Sequence, residues 1–125
     1  MAQTRDINET SQKLHPEDQF LRIISPIFYD PVKRKVHSGA FQNTSNTNRM
    51  SVNSRKLSSI EDTLYGYPGH GVASITAQLC WLLQQEIEET PVERNSAHCD
   101  VVGHKPLSIR RKFRDMADYL RYPES

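Results

Sequence analysis

The chain has 125 residues and a formal charge of +1, and 25% of its residues are charged. This length fits one domain, and the near balance of charge excludes a histone-like basic protein and an acidic tail protein. No apolar run reaches the roughly 18 residues that a membrane-spanning helix needs, so we expect no membrane association. The N-terminus has no apolar signal sequence and two cysteines make a poor disulfide framework, which together predict a cytoplasmic protein.

The first half of the chain is mostly polar, with short apolar runs. Residues 1–15 lack periodicity, and we predict a flexible N-terminal arm followed by a single domain over residues 16–125. The apolar run Phe20–Ile24 is rich in β-favouring residues and stops before a proline, so it predicts a strand. Val36–Phe41 is either a short strand or a turn, and Met50–Val52 is a short extended candidate.

The second half contains the stronger helical patterns. Ser58–Asp62 has a serine N-cap and acidic residues in the first turn, which predicts a short helix. Val72–Leu83 has apolar residues at helical spacing and predicts a central apolar helix, although Val72–Thr76 can equally form a strand. Glu86–Glu89 is either helix or strand, and His98–Gly103 predicts a strand. A C-terminal amphipathic helix is predicted from an apolar stripe: Ile109, Phe113, Met116, Ala117 and Leu120. The order of these elements predicts a small α+β domain.

The charges are segregated along the chain. Segment 33–56 has six cations and no acid, segment 86–100 has five carboxylates and one arginine, and segment 105–121 has six cations and two aspartates. One interpretation joins the two basic segments in a surface for nucleic acid or another phosphate-bearing partner. The other is a solvated loop and an outer helix face, with the acidic segment as intramolecular counter-charge. The candidate nucleic-acid surface consists of Lys33, Arg34, Lys35, Arg110, Arg111 and Arg114.

Five residues are candidates for a more specific anion or ligand site. Arg22 places a guanidinium inside an apolar strand, which indicates either the rim of an edge strand or an anion contact at the mouth of a pocket. His98 begins a predicted strand and can serve as a general acid/base or a phosphate donor. Ser38 and Ser51 lie in small-residue segments and can donate to a phosphate or a ribose hydroxyl. Lys105 follows a strand and a glycine and precedes a helix N-terminus, where anions bind.

Metal binding has little support in the sequence. The five histidines and two cysteines show neither His-x-x-x-His nor Cys-x-x-Cys spacing, which are common spacings in zinc sites. We therefore predict no metal site and assign no cofactor.

Several short blocks resemble, in their order, a family of small uncharacterised bacterial proteins of about this length. This resemblance covers roughly residues 20–121 and transfers no activity. It implies a single compact bacterial domain in which Arg22, His98 and Lys105 recur with the blocks. The blocks are Phe20–Ile23, Ser38–Phe41, Met50–Val52, Gly71–Ala73 and Asn95–Lys105.

A looser similarity exists to ADP-ribosyltransferase-like folds. Such folds place an Arg or His on an early strand and a Ser on a later one, which here implies Arg22 with Ser38 or Ser51. The acidic residue that these enzymes often use has no clear counterpart in the chain.

Three functions follow from these patterns as hypotheses. The leading one is a small binding or accessory module whose basic surface takes nucleic acid or another phosphate-bearing partner. The second is a nucleotide-dependent enzyme of ADP-ribosyltransferase-like type. It requires Arg22, His98 and either Ser38 or Ser51 to converge in one pocket. The third is a protein–protein adaptor that uses the acidic segment 86–93, which requires an exposed apolar patch beside the carboxylates.

Overall fold

The computed structural model describes residues 14–124, which contain eight strands and three α-helices. The fold is α+β, as the sequence predicts, and no helix in this range is long and apolar enough to cross a membrane. Most of the predicted N-terminal arm lies outside the described residues. The strands are β1 (Gln19–Ile24), β2 (Tyr29–Asp30), β3 (Lys35–Val36), β4 (Arg49–Ser54), β5 (Gly71–Thr76), β6 (Glu86–Glu89), β7 (His98–Val102) and β8 (Asp118–Arg121). The helices are α1 (Ile60–Thr63), α2 (Ala77–Leu82) and α3 (Leu107–Met116).

Six strands form one antiparallel sheet in the order β6-β7-β4-β1-β5-β8, and β2 and β3 form a separate hairpin. When these six strands are numbered by their order in the sequence, their order across the sheet is fourth, fifth, second, first, third, sixth. The central strands β1 and β4 pair only at Phe20 with Ser54 and at Leu21 with Asn53. In contrast, β1 pairs with β5 along its whole length. The two central strands therefore separate after Leu21, and the sheet has a fork at its centre.

One face of the sheet carries the main core, because side chains alternate along each strand. Phe20 and Ile24 of β1 lie on this face and are fully buried. They belong to the same cluster as Phe113 of α3 and Phe41, whose rings stack with their centroids 5.9 Å apart. The opposite face of β1 carries the buried Leu21. Leu21, Arg22 and Ile23 all line the space that the fork opens.

The predicted central helix Val72–Leu83 is a helix only over α2, and its first residues form β5. The strand alternative for Val72–Thr76 is the one that the structure adopts, because that segment completes a full ladder with β1. Thr76 then caps the helix, since its Oγ1 accepts from the Leu79 amide at 3.1 Å. The sequence is ambiguous here because its apolar residues satisfy both the strand and the helix period.

The predicted C-terminal helix is correct up to Met116, but its continuation through Leu120 is wrong. Ala117 is extended, and the chain turns into β8, which pairs Asp118 with Ser74 at the outer edge of β5. The Tyr119 hydroxyl donates to the Arg114 carbonyl at 2.7 Å and closes the helix end. Backbone hydrogen bonds between β8 and β5 replace the helical hydrogen bonds that the apolar stripe alone would favour.

The acidic segment forms β6, the outer strand on the other side of the sheet. Only Ile87 packs against the core, and the three glutamates of β6 are exposed. Charged side chains on an edge strand oppose pairing with another chain. Arg49 donates to Glu88 at 2.8 Å and to Asp100 at 3.1 Å, which gives part of the segment an intramolecular counter-charge. The adaptor hypothesis for this segment stays a prediction.

Both cysteine thiols are buried and free. Burial raises the pKa of Cys80 to about 12 and the pKa of Cys99 to about 11, so both remain protonated near neutrality. We expect neither thiol of the native protein to react with Ellman's reagent at pH 8, whereas both should react after denaturation in guanidinium. Rapid labelling of the native protein would contradict the burial of these side chains.

Candidate functional site

The fork between β1 and β4 opens into a cleft of about 770 Å³. Arg22 lines it from β1, Ser51 from β4 and His98 from β7. Helix α1 and the loop that follows it form the facing wall, where Asp62 and Tyr67 line the cleft. This volume lies within the range of small-molecule sites. The cleft therefore brings together three of the five residues that the sequence singles out.

Arg22 bridges the two separated strands. Its Nε donates to the Ala40 carbonyl at 2.9 Å and its Nη1 to the Ser51 carbonyl at 2.9 Å, while Nη2 lies 3.5 Å from the Gln42 carbonyl. The interpretation of β1 as an edge strand is wrong, because β1 lies between β4 and β5. The guanidinium supplies hydrogen bonds where the β1–β4 ladder has ended, and it thereby holds the fork at a fixed width.

Arg22 also carries a charge that no carboxylate contacts within residues 14–124. Burial lowers its pKa to about 10, which leaves the guanidinium charged at neutral pH. A guanidinium has five N–H donors, and three are directed at backbone carbonyls. The remaining donors and the uncompensated charge favour an anionic ligand in the cleft.

His98 and Ser51 are joined by a side-chain contact across neighbouring strands. The Nε2 atom of His98 lies 3.2 Å from Ser51 Oγ. On the other side of the ring, Nδ1 lies 3.0 Å from the Thr90 carbonyl and 2.9 Å from Thr90 Oγ1. A carbonyl only accepts, which assigns the proton to Nδ1 and leaves the Nε2 lone pair facing Ser51. This arrangement gives a positioned base, a hydroxyl and a group that orients the base.

Aromatic side chains stand at the rim of the cleft on the loop after α1. Tyr65 is 88% exposed and Tyr67 is 47% exposed, and both line the cleft. The loop bends outward through Gly66 and Gly69, whose φ angles of 84° and 77° favour glycine. Exposed aromatic faces beside a polar cleft can stack on a planar ring.

The cleft also contains a carboxylate. Asp62 of α1 is the one acidic residue among the described residues that line it. Asp100 lies directly opposite Ser51 in the β4–β7 ladder, but Arg49 binds its carboxylate at 3.1 Å. Asp62 is thus the carboxylate that lines the cleft, and the sequence analysis did not single it out.

Ser38 and Lys105 do not line the cleft. Ser38 begins the 3-10 turn Ser38–Phe41, of which only Ala40 reaches the cleft. Lys105 is buried, and its Nζ donates to Asn43 Oδ1 at 2.5 Å, to the Val101 carbonyl at 2.8 Å and to the Gly103 carbonyl at 3.2 Å. Burial lowers the pKa of Lys105 to about 8. Because all three donors are engaged inside the protein, Lys105 holds the loop that contains Asn43.

The candidate nucleic-acid residues lie elsewhere. None of them lines the cleft. Three lie at the turn of the β2–β3 hairpin and the other three lie on α3. The two groups are Lys33, Arg34 and Lys35, and Arg110, Arg111 and Arg114.

No family model, curated protein or solved structure matches the chain. Both resemblances therefore stay predictions, and the geometry of the cleft carries the functional argument.

Thr90 contacts the imidazole of His98, and the sequence analysis did not single it out. Its amide donates to the His98 carbonyl at 3.1 Å, so the two residues face each other across the β6–β7 hairpin. Recognising this hairpin from its two short strands would have placed Thr90 beside the imidazole. The alternative of a helix over Glu86–Glu89 obscured that signal.

Proposed function

We propose that this chain is an enzyme that binds a nucleotide in the cleft. It breaks the bond between the ribose and the base, and it transfers the ribose, with the phosphates attached to it, to an acceptor. The observation that carries this proposal is the convergence of Arg22, Ser51 and His98 in one cleft. That convergence is the geometry that the similarity to ADP-ribosyltransferase-like folds requires. Arg22 lies on the first and Ser51 on the second of the six strands in the main sheet, which chooses Ser51 over Ser38.

Arg22 holds the phosphates in this proposal. Its guanidinium is fixed by the Ser51 carbonyl of β4 and by the Ala40 carbonyl of the Ser38–Phe41 turn. A fixed, charged donor loses little freedom when a phosphate binds, and Arg–phosphate hydrogen bonds are among the stronger ones in proteins.

Other residues of the cleft can bind the ribose and the base of a nucleotide. Ser51 Oγ binds a ribose hydroxyl, beside the phosphates that Arg22 holds. The exposed rings of Tyr65 and Tyr67 offer stacking surfaces for a base at the rim. The Arg22 guanidinium inside the cleft and the tyrosine rings at its rim thus match the negatively charged phosphates and the planar base of a nucleotide.

His98 acts as the general base of the transfer. When the ligand binds, the Ser51 hydroxyl turns from His98 to the ribose and frees the Nε2 lone pair. An acceptor hydroxyl or water then attacks C1′ of the ribose, and its proton passes to Nε2 of His98. The bond between C1′ and the leaving base breaks, and its electron pair stays with the base. A base that is bound as a pyridinium, as in NAD⁺, departs neutral without a second proton. Thr90 supports this role because it orients the ring through Nδ1.

Binding of ADP-ribose, measured by calorimetry, tests the assignment of Ser51. We expect wild-type protein to bind ADP-ribose and Ser51→Ala to bind it about five- to tenfold more weakly, as the loss of one hydrogen bond predicts. Ser38→Ala is the matched control, since Ser38 does not line the cleft, and its affinity should stay within about twofold. Absence of binding, or an equal loss in the two variants, would overturn the proposal.

A further inference from the structure

A second polar surface lies around the β2–β3 hairpin and α3, outside the cleft. Segments 29–36 and 107–116 together carry seven cations and two aspartates. Asp30 fixes the hairpin turn, because its Oδ1 accepts from the Val32 and Lys33 amides at 3.0 and 3.2 Å. Lys33, Arg34 and Lys35 are all exposed at this turn.

Asp115 lies among the cations of α3. Arg114 binds its carboxylate at 2.8 Å, and this hydrogen bond is the main cause that lowers the pKa of Asp115. The charges of Lys35 in the hairpin and Arg111 in α3 lower it further. The contacts that join the hairpin to the end of α3 are made by aromatic side chains.

Three tyrosines adjoin this basic surface. Tyr122 stacks on Tyr119 with centroids 5.5 Å apart and an interplanar angle of 14°, and it contacts Tyr29 at 5.5 Å with an angle of 32°. The Tyr119 hydroxyl donates to the carbonyl of Arg114. Tyr29 begins the hairpin, and Tyr122 is 42% exposed. The tyrosine cluster thus connects the hairpin to the end of α3 and presents an aromatic side chain to solvent.

We propose that this surface binds single-stranded nucleic acid, with Tyr122 stacking on a base and the cations of the hairpin and α3 contacting phosphates. Base stacking on an aromatic side chain needs an unpaired base, which a single strand offers and a duplex does not. Lysine and arginine contacts to the backbone supply affinity without sequence preference. The surface shares no residue with the cleft, so this inference is independent of the proposed enzyme.

Fluorescence anisotropy with a labelled oligo-dT of about 12 nucleotides tests the surface. We expect binding that weakens steeply between about 50 and 200 mM salt. Replacing Lys33, Arg34 and Lys35 together with glutamine should reduce the slope of log K against log salt by about two. Tyr122→Ala should weaken binding by about tenfold at constant salt.

Arg55→Gln serves as the control, because Arg55 is an exposed cation after β4 that lies outside both this surface and the cleft. Its affinity for oligo-dT should equal that of the wild type. Circular dichroism checks that each variant is folded. Absent binding, salt-independent binding or equal affinity for a duplex of the same length would overturn the proposal. A loss in Arg55→Gln equal to that of the hairpin variant would overturn it as well.

Discussion

Replacing Arg22 with methionine is expected to lower the free energy of unfolding by about 3 kcal/mol and to abolish ADP-ribose binding. Methionine fills much of the same space but donates no hydrogen bond, so the Ala40 and Ser51 carbonyls lose their partner across the fork. A buried acceptor left without a partner costs about 1–3 kcal/mol, which applies to the partly buried Ala40 carbonyl, whereas water can bind the exposed Ser51 carbonyl. The cleft also loses the guanidinium that the proposal assigns to the phosphates. Urea denaturation and calorimetry measure the two effects separately.

Arg22→Lys separates charge from geometry. Lysine keeps the positive charge but has one ammonium in place of a planar fork, so it cannot reproduce both carbonyl bonds at once. We expect a stability and an affinity between those of the wild type and Arg22→Met. Wild-type stability together with wild-type affinity in Arg22→Met would contradict both roles of this residue.

The second large effect is expected at His98. His98→Gln should lower the rate of nicotinamide release from NAD⁺ by about 10²- to 10⁴-fold, the contribution that general acid–base catalysis typically makes. The Kd for ADP-ribose should change by no more than about twofold, because the proposal assigns binding to Arg22 and Ser51. Steady-state rates and calorimetry on the same preparation give both numbers.

Thr90→Val provides a graded companion to that variant. It removes the Oγ1 contact with Nδ1 but keeps the Thr90 carbonyl, so the ring stays partly oriented. We expect a smaller loss of rate than in His98→Gln. Wild-type turnover in His98→Gln, or a loss of affinity as large as the loss of rate, would contradict the role of His98 as a base.

The sequence predicted the fold class and the strands whose patterns are local. Phe20–Ile24 and His98–Gly103 contain β-favouring residues bounded by breakers, and both form strands. Val72–Thr76 remained ambiguous because its choice between strand and helix depends on the ladder with β1. The sequence did not predict the strand Asp118–Arg121, because the apolar stripe of α3 continues into it. The strand forms by pairing with β5, which lies far away in the sequence.

The candidate site was predicted in part, for a similar reason. Arg22 stood out because a guanidinium in an apolar strand needs partners. The choice between Ser38 and Ser51 depends on strand register, which places Ser51 opposite Asp100 and within reach of His98. Local pattern does not contain that register, so both serines remained candidates until the pairing was known.

Lys105 was interpreted as an anion contact because it follows a strand and a glycine and precedes a helix N-terminus, where anions bind. In the structure it points inward to Asn43, which lies 62 residues earlier in the chain. Only tertiary contacts determine which way such a side chain turns. Lys105 donates only to neutral oxygen atoms within the protein, and it thereby stabilises the loop after the Ser38–Phe41 turn.

A crystal structure of the protein with bound ADP-ribose tests the nucleotide site most directly. We predict the pyrophosphate within hydrogen-bond distance of the Arg22 guanidinium and a ribose hydroxyl on Ser51 Oγ. The ribose C1′ should lie on the side of His98 Nε2. ADP-ribose bound outside the fork, or bound in the fork without contact to Arg22 and Ser51, would contradict the proposal.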